Sequence, residues 1–201
     1  INEFKITPYL VDHPGFDAFA YLIEVEGKKI YYSGDFRGHG RKGKLFDNMV
    51  NEHDTVSKGD ELQFEALKKL DNIDFLILEG TNIGRERREE PITEYDVEKD
   101  MAEIFAKEKQ LILVACSSQN IDRLVSIFKA CQSTDRIFVI DPYTAYILDK
   151  VQDVSRRIPH PSWGKNIRIY FNQDYKTGKM AKNKDLFKFK DYKISPPEIA
   201  E

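Results

Sequence analysis

Apolar residues in the first eighty positions recur in runs that have the length of β-strands. Residues 4–11 (FKITPYLV) predict one strand, and residues 19–25 and 29–32 predict two more, joined by a turn at residues 26–28. Such a hairpin returns its two ends to the same edge of a sheet. Residues 74–78 (DFLIL) are continuously apolar, which predicts a strand covered on both faces.

Helical spacing of apolar residues appears between and after these strands. It predicts a short helix near residues 45–50 and a longer one over residues 60–70. The tetrapeptide at residues 93–96 (TEYD) resembles a capping box, and we expect a helix to begin there and to run to about residue 109.

From residue 110 onward, strands and helices alternate three times. The predicted strands are residues 110–116, 136–141 and 167–171; the predicted helices are one with apolar positions Ile121, Leu124, Val125 and Phe128 and one over residues 142–154. This alternation is typical of a doubly wound parallel sheet. We therefore expect an α/β chain with two domains, residues 1–88 with a mixed sheet and residues 89–201 with a parallel one.

Composition excludes several classes of function. The 31 basic and 34 acidic residues leave a net charge of −3, so no overall field attracts nucleic acid or a membrane, and any polyanion site must be local. No apolar run reaches membrane-spanning length, and no signal peptide is present. Cys116 and Cys131 are interpreted as reduced core residues, which favours a cytoplasmic protein.

One local segment is strongly basic. Residues 175–193 hold seven lysines and two aspartates, interleaved with four aromatic residues. Lysines with aromatic residues can bind single-stranded nucleic acid through phosphate pairing and base stacking. The alternative is a solvated lysine face on an exposed strand or loop, and charge runs of this kind favour it.

Two turns at the ends of the predicted hairpin carry candidate chemistry. His13 ends one strand and Asp35 follows another 22 residues later, so both side chains can project from the same sheet edge. An imidazole and a carboxylate suit zinc or manganese, and a carboxylate can bridge two metal ions. On spacing alone, an ordinary hydrogen-bonded pair is the simpler interpretation.

The amino-acid sequences of three successive motifs resemble those of a known family. VDHPGFDA at residues 11–18, SGDF at 33–36 and LEGT at 78–81 resemble the metallo-β-lactamase fold and, within it, the β-CASP branch of nucleases that includes ribonuclease J. The resemblance implies part of an αββα sandwich over residues 1–88, followed by a doubly wound β-CASP module.

The resemblance also implies roles for individual residues. His13 would bind one metal, Asp35 would bridge two zinc ions and belong to the catalytic centre, and Glu79 would support the site from behind the ligands. The complete protein would cleave phosphodiester bonds in RNA or another single-stranded nucleic acid. No membrane partner is expected, and a homo-oligomer is left open.

The chain departs from the family pattern in two places. The main ligand motif, His-x-His-x-Asp-His, is absent, as are the histidines that close the site, and the four histidines present are His13, His39, His53 and His160. Together with the initial Ile1, this predicts an internal fragment that is inactive alone. The alternatives are a hydrolase of small esters or thioesters and a degenerate binding module.

Ser117 and Ser118 are the remaining candidates for substrate binding. They are predicted to cap the helix after the strand at residues 110–116, where hydroxyls and helix amides could hold a phosphate. A plain helix cap is the alternative. The other three histidines are interpreted as loop residues, and the mixed charges of residues 85–90 predict a solvated linker.

Overall fold

The computed structural model describes residues 3–50, 70–84, 91–164, 166–172 and 184–200, and the statements below concern these residues. The helix predicted over residues 60–70 lies outside them, apart from Leu70. The chain divides into two compact units, Ile1–Thr93 and Glu94–Glu201, and each combines strands with helices. The α/β class is therefore confirmed. The metallo-β-lactamase sandwich remains a prediction.

The N-terminal unit is built on a four-stranded mixed sheet. Its elements are β1 (Lys5–Leu10), β2 (Phe19–Val25), β3 (Lys28–Tyr32), α1 (Lys44–Val50) and β4 (Phe75–Ile77). The strand order is β1-β2-β3-β4, with antiparallel pairing up to β3 and parallel pairing of β3 with β4. Every strand predicted in this unit is present.

The hairpin turn between β2 and β3 is tighter than predicted. Val25 pairs with Lys28, so the loop contains only Glu26 and Gly27, with φ angles of 51° and 71°. Two residues with positive φ match the twist of the flanking strands, which explains a glycine at the second position.

One face of this sheet carries the core of the unit. Alternate residues of three strands point to it, and α1 covers it: the buried members are Tyr9, Val11, Ala20, Tyr31 and Met49. The Tyr31 hydroxyl donates to the Met49 sulfur at 3.3 Å, and burial raises the pKa of Tyr31 to about 12. Phe36, just after the second turn, stacks on Phe46 of α1 with ring centroids 5.6 Å apart.

The expected burial of β4 is wrong. Phe75, Leu76 and Ile77 are 57%, 60% and 51% exposed, although their run is continuously apolar. An apolar run predicts a buried strand only when a layer covers each face. β4 lies at the end of the strand order, and described residues do not bury it on either face.

The C-terminal unit alternates helices with a two-stranded parallel sheet. Its elements are α2 (Glu94–Lys107), α3 (Ile121–Ser133), β5 (Phe138–Ile140), α4 (Pro142–Gln152), a 3-10 helix (Pro161–Trp163), β6 (Ile167–Ile169), α5 (Lys184–Phe187), a 3-10 helix (Lys190–Tyr192) and α6 (Pro196–Ala200). β5 pairs with β6 in parallel. The predicted alternation is confirmed for these strands and helices.

Helix α3 follows its predicted pattern but begins later than expected. The four predicted apolar positions are all buried: Ile121, Leu124, Val125 and Phe128. The cap is Asn120, whose side chain accepts from the backbone N–H of Arg123 at 3.0 Å. The prediction that Ser117 and Ser118 cap this helix is therefore wrong.

The buried strand predicted at residues 110–116 is also absent. The structure assigns no strand there, and Leu111 and Leu113 are 60% and 87% exposed. Cys116, expected in the core, is exposed, whereas Cys131 on α3 is buried. Burial raises the pKa of the Cys131 thiol to about 11, so this cysteine is an unreactive core residue.

A buried ion pair joins α2 to α3. Glu94 is 2% exposed, and its carboxylate accepts two hydrogen bonds of 3.1 Å from the guanidinium of Arg123 and one of 2.8 Å from the hydroxyl of Ser126. Bidentate pairing compensates the carboxylate for its lost hydration. The two helices are therefore held in one register at their N-terminal ends.

We expect Glu94→Ala to lower the free energy of unfolding of the C-terminal unit by about 2 kcal/mol, because it removes the bidentate partner of Arg123, whose side chain is 32% exposed, and an acceptor of the Ser126 hydroxyl. Urea unfolding followed by circular dichroism measures this loss. Glu24→Ala, which removes the exposed pair between Lys5 and Glu24, is the matched control and should change the midpoint far less. Equal effects would show that the Glu94 pair is not effectively buried.

A second prediction concerns pH and the N-terminal sheet. Hydrogen bonds from the Lys28 ammonium at 2.6 Å and the Lys29 amide at 2.9 Å lower the pKa of Asp74 from its ordinary 3.8. The stability that this carboxylate contributes is present above pH 3.8 and is lost as the pH falls through the lower folded-state value.

We therefore expect Asp74→Asn to be less stable than the wild type at neutral pH, and the difference to close in acid. Urea unfolding at several pH values measures it. Because the pair is exposed, about 0.5 M sodium chloride should narrow the difference at neutral pH. A difference that persists below the folded-state pKa would contradict the prediction.

Candidate functional site

The two turns that flank the hairpin meet at the end of the sheet. The backbone N–H of Val11 donates to the carbonyl of Ala18 at 3.0 Å and closes the DHPGFD turn. The backbone N–H of Arg37 donates to the carbonyl of Asp12 at 2.7 Å, directly after SGDF. The turns that carry His13 and Asp35 are thus hydrogen-bonded to each other, as the hairpin predicted.

Glu79 connects the third motif to the second. Its carboxylate accepts from the backbone N–H of Phe36 at 3.0 Å and from the hydroxyl of Thr81 at 2.7 Å. The backbone N–H of Glu79 donates to the hydroxyl of Ser33 at 3.3 Å, and Ser33 N–H donates to the carbonyl of Ile77 at 3.0 Å. Glu79 therefore fixes the backbone on both sides of Asp35.

These contacts also set the charge of Glu79. The hydrogen bonds from Thr81 and from Phe36 lower its pKa from the ordinary value of 4.5, against an opposing effect of burial, and a smaller contribution comes from the charge of His13. Glu79 is consequently ionised at neutral pH.

Asp35 is the accessible group of this region. It is exposed, and within the described part of the chain its carboxylate makes no hydrogen bond or ion pair. Gly34 before it has φ 57°, and a Cβ there would lie 3.2 Å from the carbonyl of Phe19. Glycine at this position allows the turn to present Asp35 outward.

His13 uses one ring nitrogen within its own turn. The backbone N–H of Gly15 donates to Nδ1 at 3.0 Å, so Nδ1 carries the lone pair and the neutral ring carries its proton on Nε2. A metal bound at Nε2 would require this proton to leave and the Gly15 contact to break. The ring is half-buried, and its backbone carbonyl accepts from the Lys42 ammonium at 3.1 Å.

Sequence reasoning missed the role of Asp12, the residue before His13. Asp12 is 1% exposed, and its carboxylate accepts from the backbone N–H of Gly40 at 2.6 Å and of Lys42 at 3.2 Å. The guanidinium Nε of Arg37 lies 3.7 Å away. The structure thus shows Asp12 holding the loop at residues 37–42.

The sequence contained a signal for this anchor. Gly38 and Gly40 lie fewer than thirty positions after Asp12, an acidic residue at the end of a strand. Gly40 is buried. A Cβ at Gly40 would overlap the Asp12 carboxylate and would lie 2.6 Å from Arg37 Nε. The second glycine is therefore needed because a buried carboxylate approaches its backbone, and not for flexibility.

The residues present do not by themselves form a metal centre. Among the described residues, no group of three or more His, Cys, Asp and Glu side chains is arranged to hold a metal ion. His13 and Asp35 are two donor groups of the right chemistry, and a dinuclear zinc site needs more ligands than two. A small cavity next to Glu79 is lined by Phe36 and residues 78–83.

The hydroxyl groups of Ser117 and Ser118 form hydrogen bonds within the protein. Ser117 Oγ accepts from the Gln119 N–H at 3.2 Å, and Ser118 Oγ lies 2.8 Å from the hydroxyl of Thr144. That hydroxyl donates to the Asp141 carboxylate, which caps α4. A carboxylate at this helix end repels an anion, so the local charge disfavours the phosphate site, which stays a prediction.

The basic segment is only partly described. Of its aromatic residues, Phe189 is 2% exposed and Phe187 lies against Phe171, with ring centroids 6.0 Å apart. Phe189 is therefore not free to stack on a base, whereas Phe187 is 36% exposed. For residues 184–193, both the solvated surface and nucleic-acid binding stay predictions.

No family model and no curated protein matches this sequence. Among solved structures, the chain is similar to one described as "Crystal Structure of a Protein of Unknown Function from Enterococcus faecalis V583", with a TM-score of 0.58 and 19% identity. The match covers 85% of this chain and 35% of that one, so this chain spans about a third of its length. At this identity the similarity supports the fold alone. No helix in the described ranges is long and apolar enough to cross a membrane.

We expect Gly40→Ala to destabilise the N-terminal unit by about 1–3 kcal/mol, because the added methyl group overlaps the buried Asp12 carboxylate. The matched control is Gly38→Ala, where the nearest atom, Phe46 Cδ1, is at an ordinary 3.7 Å. Thermal or urea unfolding of the two variants compares them directly. A Gly40→Ala variant as stable as Gly38→Ala would refute the anchoring role of Asp12.

Proposed function

We propose that this chain is part of a metal-dependent nuclease of the β-CASP type, in which the N-terminal unit contributes His13 and Asp35 to a dinuclear centre. Glu79 is a positioning residue of that centre. The remaining ligands of the centre lie outside the described residues. The isolated chain is therefore not expected to cleave nucleic acid.

The observation that carries this proposal is the convergence of three motifs through backbone hydrogen bonds. Arg37 N–H binds the Asp12 carbonyl, and the Glu79 carboxylate binds the N–H of Phe36. Three turns separated by up to 66 positions, from His13 to Glu79, are thereby arranged around one region.

The states of the three carboxylates also suit the proposed role. Asp35 is exposed and available to an incoming cation, whereas Asp12 and Glu79 are occupied by backbone amides. Bound metal would supply an activated water and would stabilise charge on a phosphodiester. Since the described residues lack a complete ligand set, we derive no reaction step from them.

The decisive experiment uses the complete protein that contains this chain, with single-stranded RNA as substrate and with or without a chelator. We expect cleavage that the chelator abolishes and that metal restores. Asp35→Asn should lower the rate by about 100-fold or more, since loss of a ligand removes several kcal/mol of transition-state stabilisation. Glu79→Gln should lower it by about 10–100-fold.

Asp17→Asn is the matched control. Asp17 lies in the same turn as His13, is exposed, and has φ 53°, a conformation that asparagine also tolerates. It should cleave RNA at the wild-type rate. RNA cleavage that is insensitive to chelator, or unchanged in Asp35→Asn, would contradict the proposal. Hydrolysis of small esters that the chelator abolishes, without RNA cleavage, would indicate the alternative substrate class.

A further inference from the structure

Three side chains of the C-terminal unit form a linked cluster that no motif predicted. Asp149 lies on α4, His160 precedes the 3-10 helix Pro161–Trp163, and Ser162 lies within that helix. Nδ1 of His160 is 2.7 Å from Ser162 Oγ, and Nε2 is 3.3 Å from Asp149 Oδ1. Nδ1 therefore lies on the side of Ser162 and Nε2 on the side of the Asp149 carboxylate.

The backbone determines which nitrogen carries the proton. The N–H of Ser162 donates to His160 Nδ1 at 3.1 Å, and a backbone N–H can act only as a donor. Nδ1 therefore holds the lone pair, and the neutral ring donates its Nε2 proton to Asp149. The hydroxyl of Ser162 consequently faces a base whose opposite side is oriented by a carboxylate.

Asp149 is held in its ionised form. Partial burial raises its pKa, but hydrogen bonds from the Lys188 ammonium, at 2.5 Å, and from His160 outweigh this and lower the pKa below 3.8. An ionised carboxylate stabilises the imidazolium that forms when His160 accepts a proton. Among the described residues, Lys188, directly after α5, forms an ion pair with the same carboxylate.

The backbone of the cluster is restricted, and its hydroxyl group is accessible to solvent. Two buried prolines, Pro159 and Pro161, flank His160 and restrict its backbone. The side chain of His160 is only 14% exposed, whereas Ser162 is exposed. The neighbouring Trp163 packs edge-on against Phe128 and remains 44% exposed, which leaves an aromatic surface beside the hydroxyl.

We propose that Ser162, His160 and Asp149 form a nucleophilic serine site that takes small esters with an aromatic group. Ser162 is the catalytic nucleophile, His160 the general base and Asp149 a positioning residue. In the Ser-His-Asp triad of serine proteases, Nε2 of the histidine faces the serine and Nδ1 faces the aspartate. Here Nδ1 faces the serine and Nε2 faces the aspartate. The acid–base chemistry is the same in both arrangements.

The reaction balances without a cofactor. Ser162 Oγ bonds to the acyl carbon while its proton passes to Nδ1 of His160. The bond from the acyl carbon to the leaving oxygen then breaks, and that oxygen takes the proton from Nδ1. Water attacks the acyl-serine in the same way and releases the acid. This proposal uses residues of the C-terminal unit alone and does not depend on the metal centre proposed above.

The test treats the 201-residue chain with an aryl fluorophosphonate and locates the label by peptide mass spectrometry. Attack of Ser162 Oγ on phosphorus expels fluoride, and the proton passes to His160. Ser133 is the internal control, because it is also exposed but its hydroxyl donates to the Ala130 carbonyl and has no imidazole partner. We expect Ser162 to be labelled about 100-fold faster than Ser133, as general-base assistance predicts.

Variants separate a catalytic arrangement from a helix cap. His160→Gln should reduce the labelling of Ser162 to the level of Ser133, and Ser133→Ala should leave it unchanged. Asp149→Asn should shift the pH profile of labelling toward lower pH, because the imidazolium loses its neighbouring carboxylate. Circular dichroism confirms that each variant is folded.

Equal labelling of Ser162 and Ser133 in the wild-type chain would overturn the proposal, and this comparison requires no variant to fold. Labelling of Ser162 that persists in a folded His160→Gln variant would also overturn it. If labelling succeeds, release of p-nitrophenol from p-nitrophenyl acetate by the wild-type chain, and its loss in Ser162→Ala, identifies turnover of an ester.

Discussion

The buried carboxylate of Asp12 is the constraint on which the N-terminal unit depends. A carboxylate that is 1% exposed must be compensated, and the loop after β3 supplies the compensation through two backbone amides and the guanidinium of Arg37. The backbone carbonyl of the same residue accepts from Arg37 N–H. One residue therefore determines where the end of β1 lies relative to the chain that leaves β3.

The arrangement around Asp35 follows from that constraint. If the loop moved away from Asp12, the buried carboxylate would lose its hydrogen-bond donors. The SGDF turn is therefore restrained at its C-terminal side. Glu79 restrains the same turn from β4 through the Phe36 amide. Asp35 itself is left exposed between two fixed points, which is the condition that a preorganised ligand or binding group requires.

Paired carboxylates also hold elements together in the C-terminal unit. Glu94 is buried and is paired with Arg123 across α2 and α3, and Asp149 is paired with both His160 and Lys188. In each case an ionised carboxylate joins elements distant in sequence. Such pairs specify one arrangement of helices because a shifted arrangement would leave a charge without its partner.

Much of the local structure was predictable from the sequence because local patterns decide it. Strand alternation and turn residues determined the β2–β3 hairpin, and helical spacing determined the buried face of α3, from Ile121 to Phe128. The tertiary structure decided which elements contact each other. It left β4 and the apolar residues Leu111, Leu113 and Val114 exposed, and it brought Asp12 to Gly40 and Asp149 to His160. Burial and long-range pairing depend on which layers and loops come together in space, and no periodicity along the chain encodes that.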